Sequence, residues 1–581
     1  VWLGDLPITD RRAAPPMAEL PRSSDLPFGF TYDGTPSDAL LSKWPRKVES
    51  GPLDAARTRH TLTWQDDATG LEVRCEAVSY SDFPVVEWTV WFTNRGAKST
   101  PILADIQGLD SRFERGDSGE FVLHHWKGDT SAPDLYAPHD APLGPDARRS
   151  FAPAGGRGTN FEFPYYDVAM PGRGVMLAVG WPGQWASRFA RDSSHGLRIS
   201  AGQEWTRLSL QPGEAVRAPL IALLFRQGDD LDRAHNLWRR WMWAHNVPRT
   251  ADGALPKPIL FGNTSLEFNE MTQANTENQN HFIDRYVQEH VPIDFWWMDA
   301  GWYPCDGNWP KTGTWEPDPK RFPKGLREIS DHAGTLGIKT LVWFEPERVA
   351  GGTWISDNHP EWLLGGTLLN LGLPAARDWL TDHVDRVLTE QGISLYRQDF
   401  NIDPLAFWRN NDTDDRRGAT ENHHVQNYLA YWDALRKRHP QLIIDSCASG
   451  GRRNDLETMR RAIALHPTDY NYADLPTKQA FHYSLFQWLP DYGSNTVPVD
   501  TVDPYAYRSG HAMNMVLGYD LRRKDLDYDR LRALAAEWKR IVPCYYGDYY
   551  PLTPYNRDEH QWIAWQFHRP DQADGIVEAF R

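Results

Sequence analysis

Short apolar runs rich in β-branched and aromatic residues recur through about the first 230 residues, where clusters of glycine, proline and aspartate separate them. Four of these runs are especially clear, at residues 60–64, 71–80, 85–94 and 216–225. Short strands with frequent turn signals are typical of a β-sandwich. We therefore predict an N-terminal β-sandwich domain over residues 1–235. A helical stretch at 230–245 then leads into a connection containing proline at 248–258.

From Ile259 onward the pattern changes to short apolar runs that alternate with longer amphipathic stretches. The predicted strands are 259–263, 293–299, 339–345, 394–399, 442–447, 464–469 and 495–499. The predicted helices are 281–289, 323–336, 375–391, 425–438, 455–462, 477–488 and 529–541. Repeated strand–helix alternation implies parallel strands with right-handed crossovers. The number of repeats predicts a (β/α)8 barrel, a TIM barrel, over residues 236–555.

Strand-like patterns return near the end of the sequence, at residues 561–566 and 575–580. We therefore expect residues 556–581 to begin a further β domain, of which either only a short extension exists or only the first part is present in this chain. The predicted fold class is thus a multidomain β plus α/β protein.

The composition narrows the function classes. Hydrophobic residues make up 40% and charged residues 24% of the chain, as in soluble globular proteins. A net charge of −16 argues against nucleic acid as a partner, and no apolar run is long enough to span a membrane. Four scattered cysteines indicate neither a disulfide framework nor a metal site. The compartment stays open between the cytoplasm and a secreted or periplasmic location.

Acidic residues follow most of the predicted barrel strands. They are Asp299, Glu345, Glu347, Asp399, Asp445 and Asp469. The active site of such a barrel lies at the carboxyl ends of its strands. Buried carboxylates without partners cost several kcal/mol, so their accumulation at one rim predicts either ion pairs or catalysis.

The acidic residues of this rim divide between ion pairing and catalysis. We assign Glu345 and Glu347 a structural role, as partners of Arg348 or of a neighbouring strand end. Carboxylates accompanied by tryptophans indicate sugar chemistry, because indole rings stack on sugars and two carboxyl groups suffice to hydrolyse a glycosidic bond. The 27 tryptophans of the chain favour the same class. Residues 446–451 lack the GxSxG spacing of a serine hydrolase, and His423-His424 lacks a third metal ligand.

Six segments carry a family resemblance that extends from about residue 57 to the end of the chain. In chain order they are GWPGQW at 180–185, WMDAGW at 297–302, LVWFEPE at 341–347, YRQDFN at 396–401, SCASGGRR at 446–453 and TDY at 468–470. Together they resemble the ordered motifs of glycoside hydrolase family 36, the family of bacterial and fungal α-galactosidases.

The resemblance implies a retaining exo-α-glycosidase that acts on α-linked oligosaccharides or glycoconjugates, with terminal galactosides as the leading substrate. It implies Asp399 as the nucleophile, Asp469 as the acid/base residue, and neither a metal nor any other cofactor. The residues that it implies for sugar binding are Asp299, Trp297, Trp343, Arg397, Asn401, Cys447 and Gly450. It also implies that residues 556–581 are the beginning of a C-terminal antiparallel β domain that is truncated here, and it allows a homo-oligomer.

Three departures from the family pattern concern sugar recognition. Ala300 stands where a second aspartate usually grips sugar hydroxyls, Arg397 replaces the usual lysine, and the arginine usual before the fourth strand is absent around residues 364–367. An α-N-acetylgalactosaminidase, or another α-glycosidase of the family, is therefore an alternative. A catalytically silent carbohydrate-binding protein is an alternative of another class.

Overall fold

The computed structural model describes residues 2–3, 6–7 and 26–581. Its N-terminal part holds two antiparallel sheets whose buried side chains belong to one hydrophobic core. Within the described residues the larger sheet has ten strands. In spatial order nine of them are Pro138–Leu143, Phe121–Lys127, Glu162–Met170, Arg173–Gly180, Leu220–Gln227, Val85–Asn94, Leu71–Tyr80, Arg57–Gln65 and Arg46–Pro52. Ala215–Arg217 also pairs with Val85–Asn94.

Alternation of buried and more accessible side chains explains why these segments form strands. In Leu71–Tyr80 the residues at positions 71, 73, 75 and 77 are buried and those between them are partly exposed. One face therefore packs into the core while the other meets solvent. The predicted strand at 216–225 is divided in two, because Pro219 lacks the amide hydrogen that a continuous ladder needs.

The second sheet links the N-terminal region to the barrel region. In the described part of the chain it has eight strands. They are Arg148–Phe151, Trp185–Arg191, Gly196–Gln203, Leu103–Glu114, Arg207–Leu208, Arg416–Arg417, Gly29–Tyr32 and Thr35–Pro36. Arg416–Arg417 comes from the long connection after the fourth barrel strand and pairs with Arg207–Leu208.

The central part is a barrel of parallel strands. Among residues 26–581, seven strands pair in the spatial order Ile443–Ser446, Leu395–Gln398, Lys339–Phe344, Phe295–Met298, Leu260–Asn263, Asn514–Leu517 and Gly493–Asn495. Two isolated parallel bridges, Asp445 with Ile463 and Ala464 with Tyr492, join the two ends of this order. Residues 463–464 therefore take the sixth strand position along the chain and complete the ring.

Helices follow most of these strands along the chain. The longer helices after the first barrel strand are Thr276–Gln288, Arg327–Thr335, Pro374–Gln391, Ala419–Arg438, Leu475–Trp488 and Tyr528–Ile541, and the shorter ones are Trp354–Asn358, Leu405–Asn411, Leu456–Met459 and Pro504–Ser509. Two further helices, Ser37–Leu41 and Leu231–Trp241, precede the barrel. Local signals set their ends: Asn275 forms a capping box before Thr276–Gln288, and Gly392 ends Pro374–Gln391 in the left-handed conformation.

A three-stranded antiparallel sheet follows the barrel, with strands Asp548–Pro551, Ile563–Arg569 and Asp574–Phe580. The N-terminal antiparallel sheets, the parallel barrel strands and this sheet confirm the predicted fold class. Within the described residues, none of the helices combines the length and the apolar character that a bilayer crossing requires.

Three barrel strands differ from the prediction, and one of them, predicted at 495–499, lies at Gly493–Asn495. The predicted strand at 464–469 is reduced to the bridges at 463 and 464, because residues 467 and 468 bond instead to Tyr136 and Asp129 of the N-terminal region. Asn514–Leu517 is a barrel strand that was not predicted, since its short apolar run carries no periodicity of its own.

Candidate active site

Asp399 lies at the end of the fourth barrel strand, and its carboxylate accepts four hydrogen bonds. Its Oδ1 accepts from the backbone N–H groups of Phe400 (2.7 Å) and Ser449 (3.0 Å). Its Oδ2 accepts from the Trp343 indole (3.1 Å) and the Asn401 amide (2.8 Å). Burial alone would raise the pKa of Asp399, but the charge of Arg397 and these donors outweigh burial and lower it. The carboxylate is therefore held ionised in a fixed orientation.

Glu345 supports this arrangement from behind. It is fully buried, pairs with Arg348 and accepts from the backbone N–H (2.5 Å) and side-chain amide (3.1 Å) of Asn401. Burial raises the pKa of Glu345 to about 7. The predicted structural role of Glu345 as a partner of Arg348 is confirmed, and the structure adds that it orients Asn401 toward Asp399.

Glu347 also has the predicted structural role. It accepts from Gln398 (2.9 Å), Arg453 (2.8 Å) and His424 (2.8 Å), and it is 1% exposed. Although burial opposes ionisation, Arg453 and His424 lower the pKa of Glu347 to about 2. His424 is thereby accounted for as a hydrogen-bond partner of Glu347.

Arg397 connects four of the rim residues. Its guanidinium pairs with Asp445, donates to Cys447 Sγ at 3.2 Å and lies 4.6 Å from the centre of the Trp297 ring. Its Nε lies 3.9 Å from Asp299 Oδ2 and has no hydrogen-bond partner within the described residues. This nitrogen is therefore a buried donor whose nearest acidic neighbour is Asp299.

Asp299 follows the second barrel strand and is fixed through both of its oxygens. Oδ2 accepts from the Trp297 indole at 2.6 Å, and Oδ1 accepts from the N–H of Ala300 at 2.8 Å. The Ala300 carbonyl is engaged by the N–H of Met271 at 2.7 Å, and its methyl group is buried. Position 300 therefore offers a bound molecule no free polar group.

Glu270 is a further carboxyl group of this rim, and it was not predicted from the sequence. It lies in the loop after the first barrel strand, where Asn269 and Glu270 both adopt positive φ (47° and 57°). Burial, followed by the charge of Asp299, raises the pKa of Glu270 to about 8, and Arg397 and Asp399 also act on it. Glu270 thus lies within electrostatic reach of the carboxylates of the second and fourth strands.

Asp469 differs from the other acids in its exposure. Its side chain is 46% exposed, and its Oδ1 lies 3.3 Å from Nε2 of His466. The preceding residue, Thr468, forms an antiparallel bridge with Gly450. Asp469 is therefore held beside the loop that carries Cys447 and Ser449, with its carboxyl group open to solvent.

Gly450 and Gly451 explain why this approach is possible. Gly450 has φ +85°, and a Cβ there would lie 2.5 Å from Thr468 Cα; a Cβ at Gly451 would lie 1.9 Å from the Tyr136 hydroxyl. The family resemblance implies Gly450 as a sugar-binding residue. In the structure both glycines make room for protein neighbours.

The residues predicted for catalysis and sugar binding converge on one rim. Trp343 and Asn401 bond to Asp399, while Trp297 bonds to Asp299 and packs against Arg397. Both indoles are buried, so they hold carboxylates in this structure. Among the described residues, no cluster of three His, Cys, Asp or Glu side chains is arranged to hold a metal ion.

A family model described as Melibiase matches residues 233–540, more than half of the chain. The α-galactosidase 1 of Pediococcus pentosaceus is 23% identical over 347 residues, which cover 56% of this chain and 46% of that protein. The probable α-galactosidase C of Aspergillus terreus is 23% identical over 571 residues, covering 87% and 70% respectively. The chain thus spans about half the length of the bacterial relative.

A solved structure is similar in fold over almost the whole chain. It is a substituted form of the GH36 α-galactosidase AgaA from Geobacillus stearothermophilus in complex with stachyose. The TM-score is 0.80 at 16% identity, with 96% of this chain and 81% of that chain covered. At this identity the likeness establishes the fold.

Proposed function

Because this chain belongs to the melibiase family, we propose that it is a glycoside hydrolase of family 36 that hydrolyses terminal α-linked galactosides with retention of configuration. The proposed nucleophile is Asp399 and the proposed acid/base residue is Asp469. The proposed substrates are α-linked oligosaccharides, the class to which the stachyose bound by AgaA belongs.

The environment of Asp399 is the observation that carries this proposal. A nucleophilic carboxylate must be ionised and must point at the anomeric carbon. Asp399 is 7% exposed, yet two donors hold each of its oxygens and Arg397 favours its charged form. Glu347 is also buried and charged, but it pairs directly with Arg453, whereas the described residues give Asp399 no direct ion-pair partner, so a purely structural role does not account for its charge.

The proposed reaction has two steps. Asp399 attacks the anomeric carbon and the bond from that carbon to the leaving oxygen breaks, while Asp469 donates its proton to the leaving oxygen. Asp469 then takes a proton from a water molecule, the water oxygen bonds to the anomeric carbon, and the ester to Asp399 breaks. The environments of the two acids support this division of roles, because Asp399 is buried and held by several donors whereas the Asp469 side chain is about half exposed.

Sugar recognition is assigned to Asp299, Arg397 and Glu270. Asp299 is 16% exposed and held by Trp297, so its orientation is set before a sugar binds. Arg397 lies 3.9 Å from Asp299 Oδ2 and packs against the Trp297 ring, so its charge acts at the same position. Glu270 adds a carboxyl group near Asp299, whereas Ala300, the residue after Asp299, has no polar side chain.

A panel of aryl α-glycosides tests the proposal. The unsubstituted protein is expected to release p-nitrophenol from the α-galactoside, and Asp399→Ala is expected to lose nearly all of that activity. Asp382→Asn is a control on the outer helix Pro374–Gln391, where Asp382 is 70% exposed and pairs with Arg438. A preference for the α-N-acetylgalactosaminide would show that the proposed sugar is wrong. Inactivity on every glycoside would contradict the proposed function.

A further inference from the structure

The N-terminal β region reaches the barrel rim through Asp129. This side chain is fully buried, and its two oxygens accept three hydrogen bonds. Oδ1 accepts from the Thr468 hydroxyl (2.8 Å) and from the N–H of Ser131 (2.9 Å). Oδ2 accepts from the N–H of Gly451 (3.0 Å). One carboxyl group therefore bonds to both rim segments that flank Asp469.

Neighbouring contacts make this junction rigid. The Tyr136 hydroxyl donates to the Pro467 carbonyl at 2.6 Å, and the Thr159 hydroxyl donates to the Gly451 carbonyl at 2.5 Å. There is no room for a side chain at Gly451, because a Cβ would lie within 2.2 Å of the Pro467 carbonyl oxygen. Packing and hydrogen bonds thus fix the residues before and beside Asp469 against the N-terminal region.

The Thr468 hydroxyl connects Asp129 to the backbone on the far side of Asp469. It donates to Asp129 and accepts from the N–H of Tyr470 at 3.1 Å, so it spans the backbone of Asp469. The Asp469 side chain is 46% exposed and its Oδ1 lies 3.3 Å from Nε2 of His466, so the position of its backbone and this contact together set where the carboxyl group points.

We propose that Asp129 is a positioning residue for Asp469, through which the N-terminal β region sets the direction of proton transfer in the barrel. This inference rests on the proposed function. Asparagine cannot replace the carboxylate here, because its one oxygen cannot accept from all three donors and its NH2 group would face a donor. Burial raises the pKa of Asp129 to about 6, which agrees with a carboxyl group enclosed by neutral donors.

A leaving-group comparison separates positioning from general stability. Dinitrophenolate leaves without protonation, whereas an alcohol or sugar needs the proton of the general acid. Asp129→Asn is therefore expected to lower kcat/KM for methyl α-galactoside by about tenfold or more, because small misplacements of catalytic groups cost that much. On dinitrophenyl α-galactoside the expected loss is below about threefold, since proton transfer contributes little there.

Three further variants complete the experiment. Asp167→Asn is the matched control, because Asp167 is equally buried in the same N-terminal region and pairs with Arg226 away from the rim. It is expected to lower stability and leave the ratio of the two activities unchanged. Thr468→Val is expected to reproduce the altered ratio, and Thr468→Ser to restore it. Thr468→Val also provides the measurement if the Asp129 variant does not fold.

Two outcomes would overturn the inference. One is an unchanged activity ratio in folded Asp129→Asn or Thr468→Val protein; the other is an equal change of the ratio in Asp167→Asn. Inactivity of the unsubstituted protein on both substrates would overturn the proposed function and this inference with it. The leaving-group ratio, measured beside the unsubstituted protein, distinguishes these failures.

Discussion

Replacing Glu270 with glutamine removes an ionisable group from the most acidic part of the rim and keeps its shape. Burial and the negative charge of Asp299 together raise the pKa of Glu270 from 4.5 to about 8, with Arg397 opposing and Asp399 adding to the shift. At neutral pH the carboxyl group is therefore protonated in the folded protein and ionised in the unfolded chain.

The size and sign of the effect follow from this difference. A pKa raised by about 3.5 corresponds to about 5 kcal/mol, since one pKa unit equals about 1.4 kcal/mol. Between pH 4.5 and pH 8 the folded protein binds the proton that the unfolded chain has released, so its stability falls as the pH rises. The glutamine variant lacks this loss. Its stability relative to the unsubstituted protein is expected to increase through that interval and to level off above it.

Thermal or denaturant unfolding of both proteins from pH 5 to pH 9 measures this relative stability. Glu390→Gln serves as the control, because Glu390 is 52% exposed on an outer helix and pairs with Arg386. Its difference from the unsubstituted protein should not change over the same range. A pH-independent difference for Glu270→Gln would refute the placement of this carboxyl group beside Asp299.

Three further substitutions test other parts of the site. Ala300→Asp is expected to change the ratio of kcat/KM on α-galactoside and α-N-acetylgalactosaminide by about tenfold or more, because polar contacts to sugar hydroxyls discriminate strongly between sugars. An unchanged ratio would show that position 300 takes no part in sugar recognition. Glu347→Gln leaves Arg453 buried without a countercharge and is expected to cost about 3–5 kcal/mol in denaturant unfolding, whereas a loss below about 1 kcal/mol would contradict the ion-pair network. Asn401→Ala removes a donor from Asp399, so the pKa of Asp399 should rise and the acid limb of the pH–kcat/KM profile should move to higher pH; an unmoved limb would show that this hydrogen bond does not govern the ionisation.

The barrel could be predicted from the sequence because its strands are short apolar runs buried on both faces. Phe295–Met298 is buried at every position, and Asp299 follows it at the rim as the strand order requires. Such runs locate the acidic residues at strand ends without any knowledge of the helices. The same reasoning failed at residues 464–469, where contacts from the N-terminal region draw the chain out of the strand.

The residues that act on the rim from elsewhere could not be predicted from local patterns. Asp129 meets Thr468 across 339 positions of the chain, in a loop with no helical or strand periodicity. Glu270 lies in a tight loop whose positive φ values depend on tertiary contacts. The sequence offers no signal for either contact, because both are made by three-dimensional packing of distant segments.

Trapping of a glycosyl-enzyme tests the central claim most directly. Asp469→Ala removes proton transfer but leaves the proposed nucleophile intact, so dinitrophenyl α-galactoside should still glycosylate the protein. Rapid-quench measurements are expected to show a burst of dinitrophenol, and mass spectrometry is expected to find a covalently bound hexose on the peptide that contains Asp399. No burst, or a hexose attached to Asp445, would contradict the proposed roles.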